Sequence, residues 1–380
     1  MTQPLDILCV SKSTGGVANY NRAVGEYLAR QGHRVHVVCL SEGREAYAKQ
    51  LEGLGMDVTA LRMNRYKVSL LSDLVVGFRL WQHMRSNSVS IAIAHSAKAG
   101  LLTRLAARLS GTPTLYVQHS LPFLRRVQGN RAVVYRWIER FGSGLGGRIV
   151  ALTRSMRQQI IENGVATADD IDVIYTGIEP DRYRTGNNHA AACLALGLDP
   201  GKPVVGWAGR FNTQKNPTGL VEAAAQVLAR VPETQVLMAG EGPLRDAVVE
   251  LARKYNIASN LVLVPWQSDI SVVYAACDVY VMTSRWEGLP LSLLEAMACE
   301  CPVVASAVDG IAEVIRNDVD GLLAPAGDTD ALADGIVRLL VEPDSRSRIA
   351  QAARQRICDN FTVEGMMTGW RDLVERYAGK

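Results

Sequence analysis

The sequence predicts an α/β protein built from two doubly wound, Rossmann-like parallel sheets that face each other across a cleft. Three observations lead to this fold class. Short apolar runs alternate with segments of helical period, which is the order of parallel strand–helix–strand units. The alternation starts again near residue 180, after a segment rich in turn residues. The length of 380 residues also suits two domains, since one domain usually has roughly 100–200 residues.

The first predicted domain covers residues 1–180. Its strands are short apolar runs, and its helices repeat apolar residues every three to four positions. The predicted strands are 7–10, 35–40, 91–95, 115–118 and 148–152, and the predicted helices are 20–30 and 100–109. Ligands of open α/β sheets bind beyond the carboxyl ends of the strands, so we expect the chemistry in the loops that follow them.

The second predicted domain covers residues 181–360 and repeats the pattern. Its predicted strands are 204–208, 236–240, 261–264, 279–282 and 303–305, and its predicted helices are 217–230, 244–255 and 290–298. A last segment, 361–380, contains a helical pattern over 363–377. Because the second domain is already complete at that point, we expect this segment to pack back on the first domain.

Composition is that of a globular chain, with 48% hydrophobic and 21% charged residues. The apolar stretch 68–81 is shorter than the ~20 residues of a membrane-spanning helix and contains Asp73. The first residues lack the basic start of a signal peptide, and the seven cysteines contain no zinc-type or redox pair. We therefore expect a cytoplasmic protein.

Positive charge is concentrated in the first predicted domain. Residues 62–157 contain 16 Lys and Arg against two acidic residues, a net charge of +14, whereas the whole chain carries +3. Arg125, Arg126 and Arg131 begin a stretch in which arginines alternate with apolar residues. Such a stretch suits an anionic membrane surface, here the inner face of the plasma membrane, or a lipid-linked acceptor with phosphate. A solvated face is the alternative, and nucleic acid is not expected because no recognition motif is present.

The most informative segment follows the predicted strand 279–282. Glu287 and Gly288 lie in a loop, Pro290 stands where the first turn of a helix accepts proline, and Glu295 lies inside that helix. Free N–H groups and the positive dipole end at a helix start attract anions, so a diphosphate would fit there. The glutamates are too far apart for a glycosidase pair, so they should hold separate parts of one long ligand. A surface acid and a solvated helix acid are the alternative, but Glu295 has apolar neighbours, where an idle carboxylate is costly.

A second loop follows the predicted strand 204–208. It carries Gly209, Arg210 and Lys215 before Pro217 begins a helix. A guanidinium and an ammonium at one strand end suit a diphosphate, the first through its planar fork and the second as a point charge. They would neutralise a departing leaving group, whereas two solvated cations are the alternative.

Together the two loops resemble the retaining GT-B glycosyltransferases of family 4, whose mark is two glutamates separated by seven residues and preceded by a Gly-Arg…Lys loop. The resemblance extends over nearly the whole chain. It includes Thr14-Gly15-Gly16, Gln118-His119 and Gly240-Glu241-Gly242-Pro243. The glutamate pair with the Arg and Lys loop is specific, whereas the glycine motifs alone are weak.

This resemblance implies roles for individual residues. Arg210 and Lys215 would bind the donor diphosphate, Glu295 the ribose hydroxyls, and Glu287 the hydroxyls of the transferred sugar. The remaining residues expected in the donor site are Gly15, Gly16, Gly209, Trp266, Gly288, Leu289, Pro290 and Leu291. The glycines would let the backbone approach the phosphates, and Trp266 would border the base.

Two histidines end strands of the first predicted domain. The family places a histidine beside the donor sugar and the acceptor, and His119 occupies that position. Its imidazole can donate a hydrogen bond to a sugar hydroxyl near neutral pH. The resemblance thus makes His119 a catalytic residue together with Arg210, Lys215 and Glu287. His95 stays undecided between a structural role and contact with the acceptor.

Three Asp-x-Asp strings, at 170–172, 318–320 and 328–330, match the metal-binding motif of another glycosyltransferase fold. Each lies in a turn or at a helix start, where aspartate caps backbone donors. Because Arg210, Lys215 and the helix start already supply positive charge, we expect neither a metal nor another cofactor.

The resemblance implies retaining transfer of a sugar from a nucleotide diphosphate donor, expected to be UDP-linked, to a hydroxyl of a glycan or glycolipid. Lipopolysaccharide or polysaccharide biosynthesis would use such an enzyme. One rival is a nucleotide-sugar epimerase of the same fold, which needs no acceptor. The other is a non-catalytic scaffold that binds nucleotide or membrane, although such a protein would have little reason to retain all four charged residues of the two loops.

Overall fold

The computed structural model describes residues 3–13, 16–40, 44–61, 69–121, 123–124, 130–183 and 188–378. The chain divides into two compact units, one of residues 1–175 with 366–380 and the other of residues 176–365. Each unit contains one parallel sheet with helices between its strands, which confirms the prediction of an α/β protein with two Rossmann-like parallel sheets. None of the described helices is both long and apolar enough to cross a membrane.

Within the described residues, the sheet of the first unit has seven strands in the order β3-β2-β1-β4-β5-β6-β7. The strands are β1 (Asp6–Lys12), β2 (Arg34–Leu40), β3 (Asp57–Leu61), β4 (Ile91–His95), β5 (Thr114–Gln118), β6 (Arg148–Ala151) and β7 (Ile171–Val173). Every residue of β4 and β5 is buried, as expected for central strands covered on both faces. The order changes direction between β1 and β4, so the loops after these strands border the switch point of this sheet.

The helices of the first unit connect these strands, and the last helix of the chain packs against them. They are α1 (Gly16–Arg30), α2 (Arg44–Glu52), α3 (Leu70–Ser86), α4 (Ala97–Ser110), α5 (Asn130–Gly144) and α6 (Arg154–Glu162), with α15 (Val363–Tyr377) at the end of the chain. Helix α15 buries Trp370 completely. The indole Nε1 of Trp370 donates a hydrogen bond of 2.9 Å to the hydroxyl of Tyr20 in α1.

In the described part of the second unit, six parallel strands follow the order β10-β9-β8-β11-β12-β13. The strands are β8 (Val204–Ala208), β9 (Gln235–Ala239), β10 (Leu261–Val264), β11 (Val279–Met282), β12 (Val303–Ser306) and β13 (Leu322–Ala324). The helices are α7 (His189–Ala195), α8 (Pro217–Arg230), α9 (Arg245–Lys254), α10 (Ser271–Ala275), α11 (Leu291–Ala298), α12 (Asp309–Val314), α13 (Thr329–Val341) and α14 (Pro343–Asn360).

The strand order of the second unit changes direction between β8 and β11. These strands are paired, with Val205 opposite Val279 and Gly206 opposite Tyr280. The carboxyl ends of two paired parallel strands lie at the same edge of the sheet, so the loops after β8 and β11 meet at the switch point. These are the two loops that the sequence singled out.

Candidate active site

Backbone and side-chain hydrogen bonds join the β8–α8 loop to the β11–α11 loop. The amide of Arg285 donates to the carbonyl of Gln214 at 2.8 Å, and the Gln214 side chain donates to the carbonyl of Trp286 at 3.2 Å. The hydroxyl of Thr283 lies within 2.9 Å of the carbonyls of Lys215 and Asn216. The loops are therefore parts of one site.

An ion pair lies at the centre of this site. Lys215 Nζ is 2.7 Å from Glu287 Oε1, and the hydroxyl of Ser284 donates to the same oxygen at 2.8 Å. The Gln214 amide reaches Glu287 Oε2 at 3.4 Å. Only 7% of Glu287 is exposed, and a buried carboxylate needs such partners. The pair fixes the Lys215 ammonium at the loop and leaves Glu287 Oε2 with a weaker partner.

Two glycines of the β9–α9 loop support the segment that carries Arg210. Gly240 and Gly242 have φ angles of +131° and +152°, where side chains are rarely tolerated. A Cβ at Gly240 would overlap the carbonyl oxygen of Gly209. The amide of Phe211, whose ring is completely buried, donates to the carbonyl of Glu241 at 2.9 Å. Arg210 lies between these fixed neighbours and is exposed.

Helix α11 begins at Leu291, one residue later than predicted. Pro290 has a ψ of 121° and is the residue that precedes the helix, whereas Pro217 does start α8 as predicted. Gly288 and Leu291 are partly buried, and Leu289 and Pro290 are buried. The amide of Leu293 donates to the carbonyl of Pro290 at 3.1 Å. The first amides of an α-helix have no intrahelical acceptor in general, which is the physical basis for anion binding at a helix start.

Glu295 lies one turn into α11 and accepts two hydrogen bonds from tyrosines. The hydroxyl of Tyr183 donates to its Oε1 and the hydroxyl of Tyr274 to its Oε2, both at 3.0 Å. Burial raises the pKa of Glu295, while the tyrosine hydrogen bonds oppose this shift. The carboxylate is thus oriented and keeps further lone pairs for a hydroxyl-bearing ligand.

Asp309 is a site residue that sequence reasoning missed. It starts α12, and its Oδ2 accepts a hydrogen bond of 3.1 Å from the backbone amide of Glu287. Its φ is +38°, a left-handed conformation that aspartate tolerates better than most residues. Tyr183, Tyr274 and Ser284 were missed as well. Ser284 could have been found from the sequence, because it is a polar residue only three positions before the predicted Glu287. The other missed residues are distant in sequence from the glutamates that they contact.

The other residues predicted for the donor site lie in several loops and at one helix start. Trp266 lies in the loop after β10 and is 72% exposed. Gly209 is partly buried beside Arg210. Gly16 begins α1 in the first unit, and a Cβ added there would meet nothing within 4 Å. Gly15 lies outside the described residues.

The remaining predicted residues belong to the first unit. His119 follows β5 and is partly exposed, whereas His95 is completely buried at the end of β4 and its side chain contacts His119. The structure therefore does not expose His95 to an acceptor. Arg131 is exposed on α5. Arg125 and Arg126 lie outside the described residues.

The Asp-x-Asp strings have structural partners. The side chain of Asp328 caps α13 by accepting a hydrogen bond from the amide of Ala331. Asp170 forms a capping box with Thr167. Asp318 pairs with Arg338 at 2.7 Å, and the buried Asp320 pairs with an arginine of its own turn. Over the described ranges, no group of three or more His, Cys, Asp or Glu is arranged to hold a metal. Independence from metal stays a prediction.

Two relatives illustrate how similar this chain is to known enzymes. An Escherichia coli protein named UDP-Gal:alpha-D-GlcNAc-diphosphoundecaprenol alpha-1,3-galactosyltransferase is 27% identical over 80% of both chains. A D-inositol 3-phosphate glycosyltransferase of Rhodococcus jostii is 35% identical over 60% of this chain, and that alignment spans only 53% of the relative.

Solved structures share the fold. A glycosyltransferase from Rickettsia africae has a TM-score of 0.84 at 20% identity, over 99% of both chains. The Anabaena protein HepE, in complex with UDP-glucose, has a TM-score of 0.83 at 20% identity, over 98% of this chain and all of the other.

Two family models match successive parts of the sequence. The model described as Glycosyltransferase Family 4 matches residues 14–182, and the model described as Glycosyl transferases group 1 matches residues 195–356. The two matches together cover most of the chain, including both loops of the candidate site. The chain therefore belongs to the family 4 glycosyltransferases, and its two parallel-sheet units form the architecture of the GT-B glycosyltransferases.

Proposed function

We propose that this enzyme transfers a sugar with retention from a UDP-linked donor to a hydroxyl of a glycan or glycolipid, without a metal. The observation that carries the proposal is the Lys215–Glu287 ion pair at the switch point of the second sheet, where Lys215 shares its loop with Arg210. A UDP-linked donor is supported by the name of the E. coli relative and by the UDP and UDP-glucose complexes of HepE.

The donor is held along its length by the second unit. Arg210 and Lys215 bind the diphosphate together with the first amides of α11. The carboxylate of Glu295 accepts hydrogen bonds from the ribose hydroxyls. Its hydrogen bonds from two tyrosines hold it in the orientation that this contact needs. Glu287 accepts hydrogen bonds from hydroxyls of the transferred sugar. Trp266 lies beside the base of the nucleotide. Arg210 and Lys215 stabilise the negative charge that develops on the leaving diphosphate.

We infer retention from the family resemblance. In the route considered for this family, the acceptor attacks the face of the sugar from which the diphosphate leaves, and the leaving phosphate helps to take the acceptor proton. Lys215 and Arg210 would hold that phosphate in place. The carboxylate of Glu287 is engaged by Lys215 and Ser284, so its part is to orient the sugar.

A lipid-linked, phosphate-bearing acceptor suits the first unit. The E. coli relative is named for a diphosphoundecaprenol acceptor and the Rhodococcus relative for an inositol phosphate. Both names describe anionic acceptors, and residues 62–157 of this chain carry a net charge of +14. We propose that this positive charge attracts an acceptor of that chemistry at the cytoplasmic face of the membrane.

Helix α5 is the described element best suited to contact that membrane. Its inward residue Glu139 is 1% exposed and accepts from the Tyr116 hydroxyl at 3.2 Å, with the buried Arg104 3.6 Å away. On its outer side Trp137 is 66% and Phe141 57% exposed. Exposed arginines 131, 136 and 140 lie on the same helix. Large apolar side chains with interspersed arginines are typical of helices that lie on an anionic bilayer.

Two double variants test this contact: one combines Trp137→Ser with Phe141→Ser, and the other combines Arg136→Gln with Arg140→Gln. We expect each to lower binding to vesicles that contain phosphatidylglycerol. Each arginine near an anionic surface contributes about 1 kcal/mol, so the second pair should weaken binding roughly 30-fold at low salt. Co-sedimentation measures the effect. Leu194→Ser, at an equally exposed leucine of the second unit, is the control. If the wild-type protein does not bind anionic vesicles at low salt, the exposed side of α5 is only a solvated surface.

Turnover in the presence of excess EDTA tests the donor site. We expect release of UDP from the correct UDP-sugar to continue, because Arg210, Lys215 and the start of α11 supply the positive charge at the leaving group. Loss of activity that manganese or magnesium restores would contradict the proposed donor site. The same assay separates the rivals, since an epimerase would convert the donor without an acceptor and a scaffold would not consume it.

A further inference from the structure

Two histidines of the first unit are hydrogen-bonded to each other at the ends of neighbouring strands. His95 ends β4 and His119 follows β5, which pairs with β4. His95 Nδ1 lies 3.0 Å from His119 Nε2. His95 is completely buried, and His119 is the partly exposed member of the pair. The contact occupies Nε2 of His119, so Nδ1 is the nitrogen of this ring that remains for a ligand.

Aromatic packing fixes the orientation of both rings. Tyr20 of α1 meets the His95 ring edge-to-face at 5.9 Å and the His119 ring at 5.1 Å between centroids. The hydroxyl of Tyr20 is itself held by the indole of Trp370, which is completely buried in α15. We therefore expect that neither imidazole ring rotates by a half-turn, a motion that would interchange the positions of its two nitrogens.

The proton between the two rings can be placed in two ways. Either His95 Nδ1–H donates to His119 Nε2, or His119 Nε2–H donates to His95 Nδ1. Among the residues that the structure describes, His95 Nε2 is buried and has no hydrogen-bond partner. In the second arrangement a neutral His95 would carry its proton on that nitrogen, as a buried N–H without an acceptor. Such groups are rarer than unmatched acceptors, so the first arrangement is favoured.

Both rings stay uncharged near neutral pH. Burial lowers the pKa of His95 well below its usual value, and the neighbouring His119 lowers it further. Burial, with a smaller effect of Lys12, lowers the pKa of His119 to about 3. A neutral His119 whose Nε2 accepts from His95 carries its proton on Nδ1. It can then donate a hydrogen bond through Nδ1, but it has no free lone pair with which to take a proton.

We propose that His95 is a positioning residue that sets the tautomer of His119, so that His119 presents Nδ1–H as an uncharged hydrogen-bond donor to a hydroxyl oxygen of a substrate. The inference rests on the proposed function for the identity of the ligand, whereas the tautomer itself is a property of the protein alone. His119 would then orient a substrate hydroxyl and would not act as the general base. A buried neighbour that fixes the working tautomer of a histidine is a common device at functional sites.

Nitrogen NMR of protein with ¹⁵N-labelled histidines reads the tautomer directly. The chain contains six histidines, and spectra of His95→Asn and His119→Gln assign the two signals. We expect His119 to be protonated on Nδ1 and unprotonated on Nε2, without a change between pH 6 and 8. A proton on Nε2 of His119, or a charged ring in this range, would overturn the inference.

Two substitutions of His95 provide the functional test. His95→Asn places an amide N–H near the position of Nδ1, whereas His95→Leu fills a similar volume without a donor. We expect the Asn variant to keep kcat within about threefold of wild type and the Leu variant to lose about tenfold in kcat, the effect of one hydrogen bond. UDP binding to the second unit should not change. Equal losses in both variants, with the thermal midpoint lowered alike, would mean that His95 is merely structural.

The two proposals fail in distinguishable ways. If the wild-type enzyme transfers no sugar from any nucleotide donor, the proposed function is wrong, and the tautomer spectrum still decides the inference. If transfer occurs and the Leu variant matches wild type, the proposed function stands and the inference is overturned. A Leu variant that does not fold leaves the decision to the spectrum of the wild-type protein and to the Asn variant.

Discussion

Replacing Lys215 by methionine should lower kcat/KM by about 10²–10³-fold, the typical cost of removing one donor that stabilises the negative charge developing in a transition state. The same change leaves Glu287, which is 7% exposed, without its cation. We therefore also expect a loss of roughly 1–3 kcal/mol in the free energy of unfolding, because a buried acceptor loses its partner. Steady-state kinetics and urea denaturation measure the two effects.

A double variant separates these two consequences. Adding Glu287→Gln to Lys215→Met removes the unpaired carboxylate, so stability should recover in part while activity stays low. Lys202→Met is the matched control, since that lysine lies in the same unit with 47% of its side chain exposed, and it should behave as wild type. Full activity of Lys215→Met would show that the ion pair is only a structural contact between two loops.

The second large effect concerns Glu295 and Glu287, which hold different parts of the donor. Glu295→Gln should weaken binding of free UDP about tenfold or more, because it removes the charged acceptor of the ribose hydroxyls, and hydrogen bonds to charged groups contribute about 1.5–3 kcal/mol. Glu287→Gln should leave UDP binding unchanged and weaken binding of the intact UDP-sugar. Calorimetric titration of each variant with both ligands measures the difference.

Tyr183→Phe supplies the control for the Glu295 variant. It removes one of the two hydrogen bonds that orient this carboxylate while keeping the charge and the ring. We expect a smaller loss of UDP affinity than for Glu295→Gln and no separate effect on the sugar. If Glu295→Gln and Glu287→Gln weakened UDP and UDP-sugar alike, the division of roles would have to be abandoned.

The central strands could be predicted from the sequence because their apolar runs are buried on both faces. Strand β8 matches the predicted range 204–208, and β11 matches 279–282. The edge strand β10 matches the predicted range 261–264, whereas the other three edge strands, β3, β7 and β13, were missed. Strand β3 has mixed burial, and β7 and β13 have only three residues each, so none presents a continuous apolar run. Helix α14 was missed because it is mostly polar and buries few residues.

The candidate site was predictable where the chemistry lies in short motifs. The family resemblance assigned Lys215 and Glu287 to one donor, and in the structure Lys215 Nζ lies 2.7 Å from Glu287 Oε1. Their fixed partners were not predictable, since Tyr183 reaches Glu295 from 112 positions away in the sequence. The pairing of His95 with His119 likewise depends on the adjacency of β4 and β5, which the order of elements alone does not specify.

The stoichiometry of transfer tests the central claim most directly. The wild-type enzyme is incubated in EDTA with a UDP-sugar and a lipid-linked diphosphate sugar, and proton NMR follows UDP release and the anomeric proton of the product. We expect one new glycoside for each UDP released, with the anomeric configuration of the donor. Release of UDP with only free sugar, or a product of inverted configuration, would contradict retaining transfer by this enzyme.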